Sequence, residues 1–174
     1  MTTETIVIRP ASLADAPTLA WFAATTFMAT YAGKVSDDDL IGYVGPAFTS
    51  ARMTAEIENH HVLVAEADRA MIGYALLREG NVPGFVPGDH PIELGRLYVA
   101  AAAQRSGIGT RLFTAALAHA AAQGHDTIWL TVWERNPGAI AAYRRWGLDT
   151  VGTVSFPFGS EMHRDLVMAR QLTP

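Results

Sequence analysis

The chain has no cysteine among its 174 residues, which removes disulfides, thiolate metal sites and a cysteine nucleophile from consideration. Lysine is almost as scarce. Lys34 stands alone, and the other 12 basic side chains are scattered arginines, outweighed by 17 acidic groups for a formal net charge of −4. Nucleic acid is therefore not an expected partner, because its binding needs a concentrated basic face. Also missing is any run near the ~20 uninterrupted apolar residues of a membrane span. The opening "MTTETIVIRP" lacks the basic start and apolar middle of a signal peptide, so the expected location is cytoplasmic with no membrane partner. No Gly-x-Ser-x-Gly elbow is present, which sets serine hydrolysis aside. The six histidines, His60, His61, His90, His119, His125 and His163, form no i, i+4 pair, and no metal site is expected from such spacing.

What is present reads as one globular domain over residues 1–174. Nearly half the residues are apolar, and no repeat or linker divides the chain. Ile6 to Arg9 is strand-like. Asp15 as N-cap with Pro17 in the first turn predicts a helix carrying Leu19, Phe22, Ala23 and Phe27. "LIGYV" and "PAFTSARMTAEIENH" read as two short helices separated by Gly45-Pro46. "HVLVAEA" and "AMIGYALLRE" are strands joined by the short connection "DRA". After a Gly/Pro loop follow the strand "IELGRLYV", a helix ended by Gly124, and the strand "TIWLTVW". Asn136 as N-cap and Pro137 as first helical residue open one more helix, stopped by Gly147, before two closing strands. The pattern predicts an α/β protein with a mixed sheet, in which residues 92–132 form a strand-helix-strand crossover.

The loop of that crossover, "AAAAQRSGIG", sits at the carboxyl end of a strand and opens a helix. Three ligand classes use such a bend. A P-loop would need Lys-Ser/Thr after its last glycine, and Gly109 is followed by Thr110 and Arg111. A dinucleotide fingerprint would need a small residue where Leu112 stands, although Glu134 does follow the next strand. The third class is the pyrophosphate of coenzyme A, held by loop N–H groups and the positive end of the helix dipole, with Arg105 adding charge.

"QRSGIG" resembles the Gln/Arg-x-x-Gly-x-Gly/Ala loop of the GCN5-related N-acetyltransferases (GNAT). "NPGAIAAYRRWGL" is similar to the same superfamily's Asn-x-x-Ala-x-x-x-Tyr-x-x-x-Gly-Phe segment, with Leu148 for the usual Phe. "IELGRLYV", "TIWLTVWERNPGAIAAYRRWG" and "VSFPFGSEMHRDLVMARQL" look most like PaiA-type spermidine/spermine acetyltransferases. The resemblance implies a mixed, mostly antiparallel sheet of six to seven strands flanked by helices, with the fourth and fifth strands splayed. It also implies acetyl-CoA as co-substrate and a small-molecule amine, such as a polyamine, as acceptor. A homodimer is compatible with it, though no sequence feature marks an interface. Runner-up readings are acetylation of an amino acid, peptide or other small amine, and a non-catalytic acyl-CoA sensor.

Acetyl transfer requires a held thioester, a deprotonated amine and a protonated leaving thiolate. The resemblance assigns the first to the backbone of Leu97, Tyr98 and Val99 and to the loop residues Gln104, Arg105, Ser106, Gly107, Ile108, Gly109 and Thr110. An alkyl-ammonium titrates near pKa ~10 and needs a base. Glu93, eleven residues before Gln104, matches the superfamily's catalytic glutamate; the structural alternative is an ion pair, for instance with Arg96. Tyr143 is the candidate acid for the sulfur. Asn136, two helical turns before it, caps its helix and is a further candidate cofactor contact. On the acceptor side the sequence offers Phe27, Tyr31, Asp37, Asp38, Asp39, Glu56, Glu58 and Glu161.

Overall fold

The computed structural model describes residues 6–172. Strand β1 (Ile6–Pro10) is followed by helices α1 (Ala16–Tyr31), α2 (Asp37–Ala47) and α3 (Ser50–Asn59). Strands β2 (His61–Ala67), β3 (Ala70–Arg78) and β4 (Pro91–Val99) then lead into α4 (Ile108–Ala122). β5 (Thr127–Trp133), α5 (Pro137–Arg145), β6 (Asp149–Phe158) and β7 (Glu161–Gln171) complete the chain. The strands form one seven-stranded sheet in the order β1-β2-β3-β4-β5-β7-β6, mostly antiparallel, with β4 and β5 parallel. Among the described residues no helix is long and apolar enough to cross a membrane.

The chain divides into two compact units: the described residues up to Leu76 with Arg96–Ala115, and Leu77–Gly95 with the described residues from Ala116 onward. β3 and β4 each pass from one unit into the other. In the first unit α1 packs on α2 and α3, and Leu19, Phe22, Met53, Val64, Tyr74, Leu112 and Phe113 are buried. In the second, Val86, Trp129, Val167 and Ala169 form a buried cluster against which Val151 and Val154 pack.

Local chemistry explains the boundaries. Asp68 and Arg69 both adopt positive φ, the requirement of a two-residue type I′ turn, so "DRA" closes the β2–β3 hairpin without glycine. Asp15 holds the N-cap position of α1, but its carboxylate does not cap. Instead it accepts two bonds from the Arg9 guanidinium, at 2.8 and 2.9 Å, and one from the Ser12 amide. Arg9 also binds Glu66 on β2. The Arg9 bonds hold Asp15 well below the usual carboxylate range, joining the start of α1 to the first two strands.

One sequence expectation is corrected. Gly45-Pro46 does not separate two helices: α2 runs through both to Ala47, and the break falls at Phe48-Thr49. Proline in a last turn forfeits one backbone bond, whereas the Thr49 hydroxyl starts α3 by accepting from the Arg52 amide at 3.1 Å; the new cap outweighs the lost bond.

Candidate active site

In the first unit the site begins at the end of β4. The β4–β5 ladder pairs Pro91–Glu93 with Thr127–Trp129, leaving Leu97, Tyr98 and Val99 outside it. Gly73 lets β3 approach this segment closely, since a Cβ there would lie 3.0 Å from the Tyr98 carbonyl oxygen and 3.0 Å from the Leu112 side chain. No pattern along the chain announces that contact, because Gly73 lies in the middle of an ordinary-looking strand.

After β4 the chain turns sharply. Gln104 Nε2 donates to the Val99 carbonyl at 3.2 Å, and Ser106 Oγ donates to the Ala103 carbonyl at 2.6 Å. Arg105 (φ 60°) and Gly107 (φ 87°) adopt left-handed conformations on either side of Ser106. For Arg105 this costs roughly 1 kcal/mol. Left-handed residues interleaved with right-handed ones are the backbone pattern from which anion-binding nests are built. The Gly107 carbonyl accepts the first helical bond, from Arg111, so Gly107 stands where an N-cap side chain would be and has none. A Cβ at Gly107 would meet open space. Gln104, Arg105, Ser106 and Thr110 are exposed, while Ile108 is buried. The residues fit a diphosphate: the N–H groups that open a 15-residue helix and have no carbonyl one turn back, no side chain at the cap position, and the exposed Arg105 guanidinium in the same loop.

The same unit gathers an aromatic group. Phe27 stacks on Tyr43 with ring centroids 4.9 Å apart and packs against Tyr31, Phe48 and Tyr98, while Tyr74 stacks on Tyr98 at 5.8 Å. The Tyr74 hydroxyl is buried without a hydrogen-bond partner, and burial pushes its pKa up. Of the acidic residues expected on the acceptor side, Glu56 is the buried one. It accepts a bond from Arg52 Nε at 3.1 Å and faces His60 Nε2 at 3.6 Å and Arg96 Nη1 at 3.8 Å. Asp37, Asp38 and Glu58 are exposed, and Asp39 is half-buried.

In the second unit Glu93 is buried, with 9% of its surface exposed. Its partner is Arg78 on β3, not Arg96: Arg78 Nε and Nη2 bind the two carboxylate oxygens at 2.6 and 3.0 Å. Arg96 instead lies over the Phe48 ring and faces Glu56. Adjacent strands brought together residues 15 positions apart, a pairing that spacing along one strand does not reveal. On α5, the Asn136 side chain accepts from the Ala139 amide at 3.3 Å, as expected of an N-cap. Tyr143 is half-buried, its ring edge-on to Trp146 at 5.7 Å. Trp133 is buried and stacks on His163, and Glu161 is exposed with His163 Nε2 at 3.2 Å.

The family model for the GNAT acetyltransferases matches residues 46–148, more than half the chain and parts of both units. An uncharacterized N-acetyltransferase of Mycobacterium tuberculosis is 30% identical over 162 residues, covering 92% of this chain and 99% of that protein. The PaiA N-acetyltransferase of Thermoplasma acidophilum, solved with coenzyme A, superposes with a TM-score of 0.81 at 24% identity, over 97% of this chain and 99% of the other. YncA of Salmonella typhimurium with its cofactor acetyl-CoA gives a TM-score of 0.69 at 19% identity, over 98% and 95%. The chain belongs to the GNAT acetyltransferase family.

Proposed function

We propose that this enzyme acetylates the primary amine of a small molecule by direct attack on the thioester of acetyl-CoA. The carrying observation is the start of α4, where left-handed backbone at Arg105 and Gly107 leads into the helix and Gly107 offers no side chain in the cap position. Acetyl-CoA supplies an activated acetyl group and the diphosphate by which it is held. Amides from Gln104 to Thr110 bind the diphosphate, and Arg105 adds charge. Backbone groups of Leu97, Tyr98 and Val99 align the thioester and polarise its oxygen.

Glu93 takes the proton from the incoming ammonium, directly or through water. Arg78 fixes the plane of that carboxylate with two bonds and leaves other lone-pair positions for the proton. As nitrogen bonds to the carbonyl carbon and the C–S bond breaks, Tyr143 gives a proton to the departing sulfur. Asn136 orders the start of α5 and contacts the co-substrate.

For the acceptor, a polyamine such as spermidine or spermine is the reading supported by the PaiA-like motifs. The acidic first turn of α2 and the aromatic faces around Phe27 support it too, since such faces attract ammonium groups. A second reading, an amino acid or peptide acceptor, is favoured by Arg96: its Nη1 is buried without a hydrogen-bond partner, and the carboxylate it faces, Glu56, is already matched by Arg52. Thiol release from acetyl-CoA across an amine panel separates them. The polyamine reading expects saturable turnover with spermidine or spermine. Turnover confined to amino acids or peptides would replace it with the second, and saturable acetyl-CoA binding without thiol release for any amine would point to a sensor.

A further inference from the structure

We propose that Glu79, His90 and His125 form a binding site for a divalent transition-metal ion of the zinc class. All three lie in the second unit: Glu79 just past β3, His90 in the loop before β4, and His125 between α4 and β5. One ligand atom from each lies within 4.8 Å of the other two. Spacing along the chain hid this cluster, because three loop positions far apart in sequence meet only in the fold.

Proximity alone would carry little; the tautomers carry more. His125 Nδ1 lies 3.1 Å from the His90 carbonyl, and His90 Nδ1 lies 3.3 Å from the Gly124 carbonyl. A carbonyl oxygen can only accept, so in both rings Nδ1 bears the proton and the neutral ring presents its Nε2 lone pair. Imidazoles that bind metals are oriented in this way, with the other ring N–H given to a carbonyl or carboxylate. The rings lie together, centroids 4.2 Å apart, and His125 Nε2 faces Glu79 Oε1 at 3.8 Å.

The surroundings hold the histidines in place. Asp126 Oδ2 accepts from the amides of Asp89 and His90 at 2.6 and 3.0 Å, and the Asp126 amide donates to the His90 carbonyl. Gly88 makes room for this clamp: its φ is +98°, and a Cβ there would collide with the Asp126 carboxylate. His125 is buried, with 3% of its side chain exposed, whereas Glu79 is 72% exposed and can turn. Ligand atoms around tetrahedral zinc sit about 3.3 Å apart, a contraction the mobile carboxylate can supply. Two imidazoles and a carboxylate suit zinc and its neighbours better than calcium or magnesium, which take oxygen donors. A bound ion would tie the β3–β4 loop to the turn before β5.

The test is titration of the tag-free, full-length protein with Zn2+ by calorimetry, and with Co2+ by visible absorption. The expected result is saturable one-to-one binding, a Co2+ band of low-symmetry coordination, and a rise in Tm with Zn2+. Glu79→Ala and His90→Ala alter exposed residues, so their folding is checked by Tm without metal. Each should weaken Zn2+ binding at least about tenfold, the loss that removal of even an outer partner causes. Absence of saturable binding, or wild-type affinity in either variant, would overturn the proposal.

Discussion

The start of α4, in one unit, and the start of α5, in the other, solve the same problem in opposite ways. Every α-helix begins with N–H groups that have no carbonyl one turn back. At α5 the chain satisfies one of its own: Asn136 accepts from Ala139, and Pro137 removes another donor from the count. At α4 the equivalent position is Gly107, which has no side chain to offer, and the preceding Arg105 is held in a left-handed conformation at some cost. The self-capped helix is finished; the other is arranged for an external anion. Ser36 and Thr49 cap α2 and α3 in the α5 manner, and at α1 the Asp15 carboxylate turns to Arg9 instead; binding is expected at α4, where the cap position carries no side chain at all.

Substitutions that exchange these two solutions should have unequal effects. Gly107→Glu puts a negative charge and a Cβ at positive φ where the diphosphate sits, and should weaken acetyl-CoA binding by about 100-fold or more, the loss of a charge-assisted bond or two. Calorimetry on the folded variant checks it. Tyr143→Phe should lower kcat by about 100-fold with little change in KM for acetyl-CoA, as removal of a general acid does. A fall in Tm of matching severity would assign the phenol to packing instead. Asp15→Asn leaves both helix starts alone and tests the ion-pair network of the first unit. The folded-state pKa of Asp15 is depressed, so its contribution is present above the ordinary carboxylate pKa and lost as pH falls below it. The variant should be less stable by about 1 kcal/mol at neutral pH, a value discounted for the partly exposed Arg9. Denaturant titrations of both proteins should converge in acid. Asn136→Ala should cost about 1 kcal/mol of stability through the lost cap, with a smaller effect on acetyl-CoA binding than at Gly107.

The helix starts also mark what could be read in advance. Glycine spacing around "QRSGIG" and the Asn136-Pro137 pair were legible because backbone conformation restricts which residues can stand there. The strands followed from their apolar runs, and "DRA" was legible as a hairpin by its length alone. Long-range side-chain pairing was not. Glu93 meets Arg78 across two strands, and Glu79, His90 and His125 meet at loop ends, so no periodicity announces them. Gly45-Pro46 misled because a proline in a final turn costs little there. For Glu56 a local signal did exist: Arg52 on α3 and His60 just past its end stand four residues before and after it, enough to suggest a buried carboxylate needing cations.

One helix mouth, the start of α4, is where acetyl-CoA is expected to be held, and a crystal structure of the protein with acetyl-CoA tests this most directly. Phosphate oxygens within hydrogen-bond distance of the amides from Gln104 to Thr110 are the predicted result. A diphosphate bound elsewhere, with that mouth left to water, would contradict it.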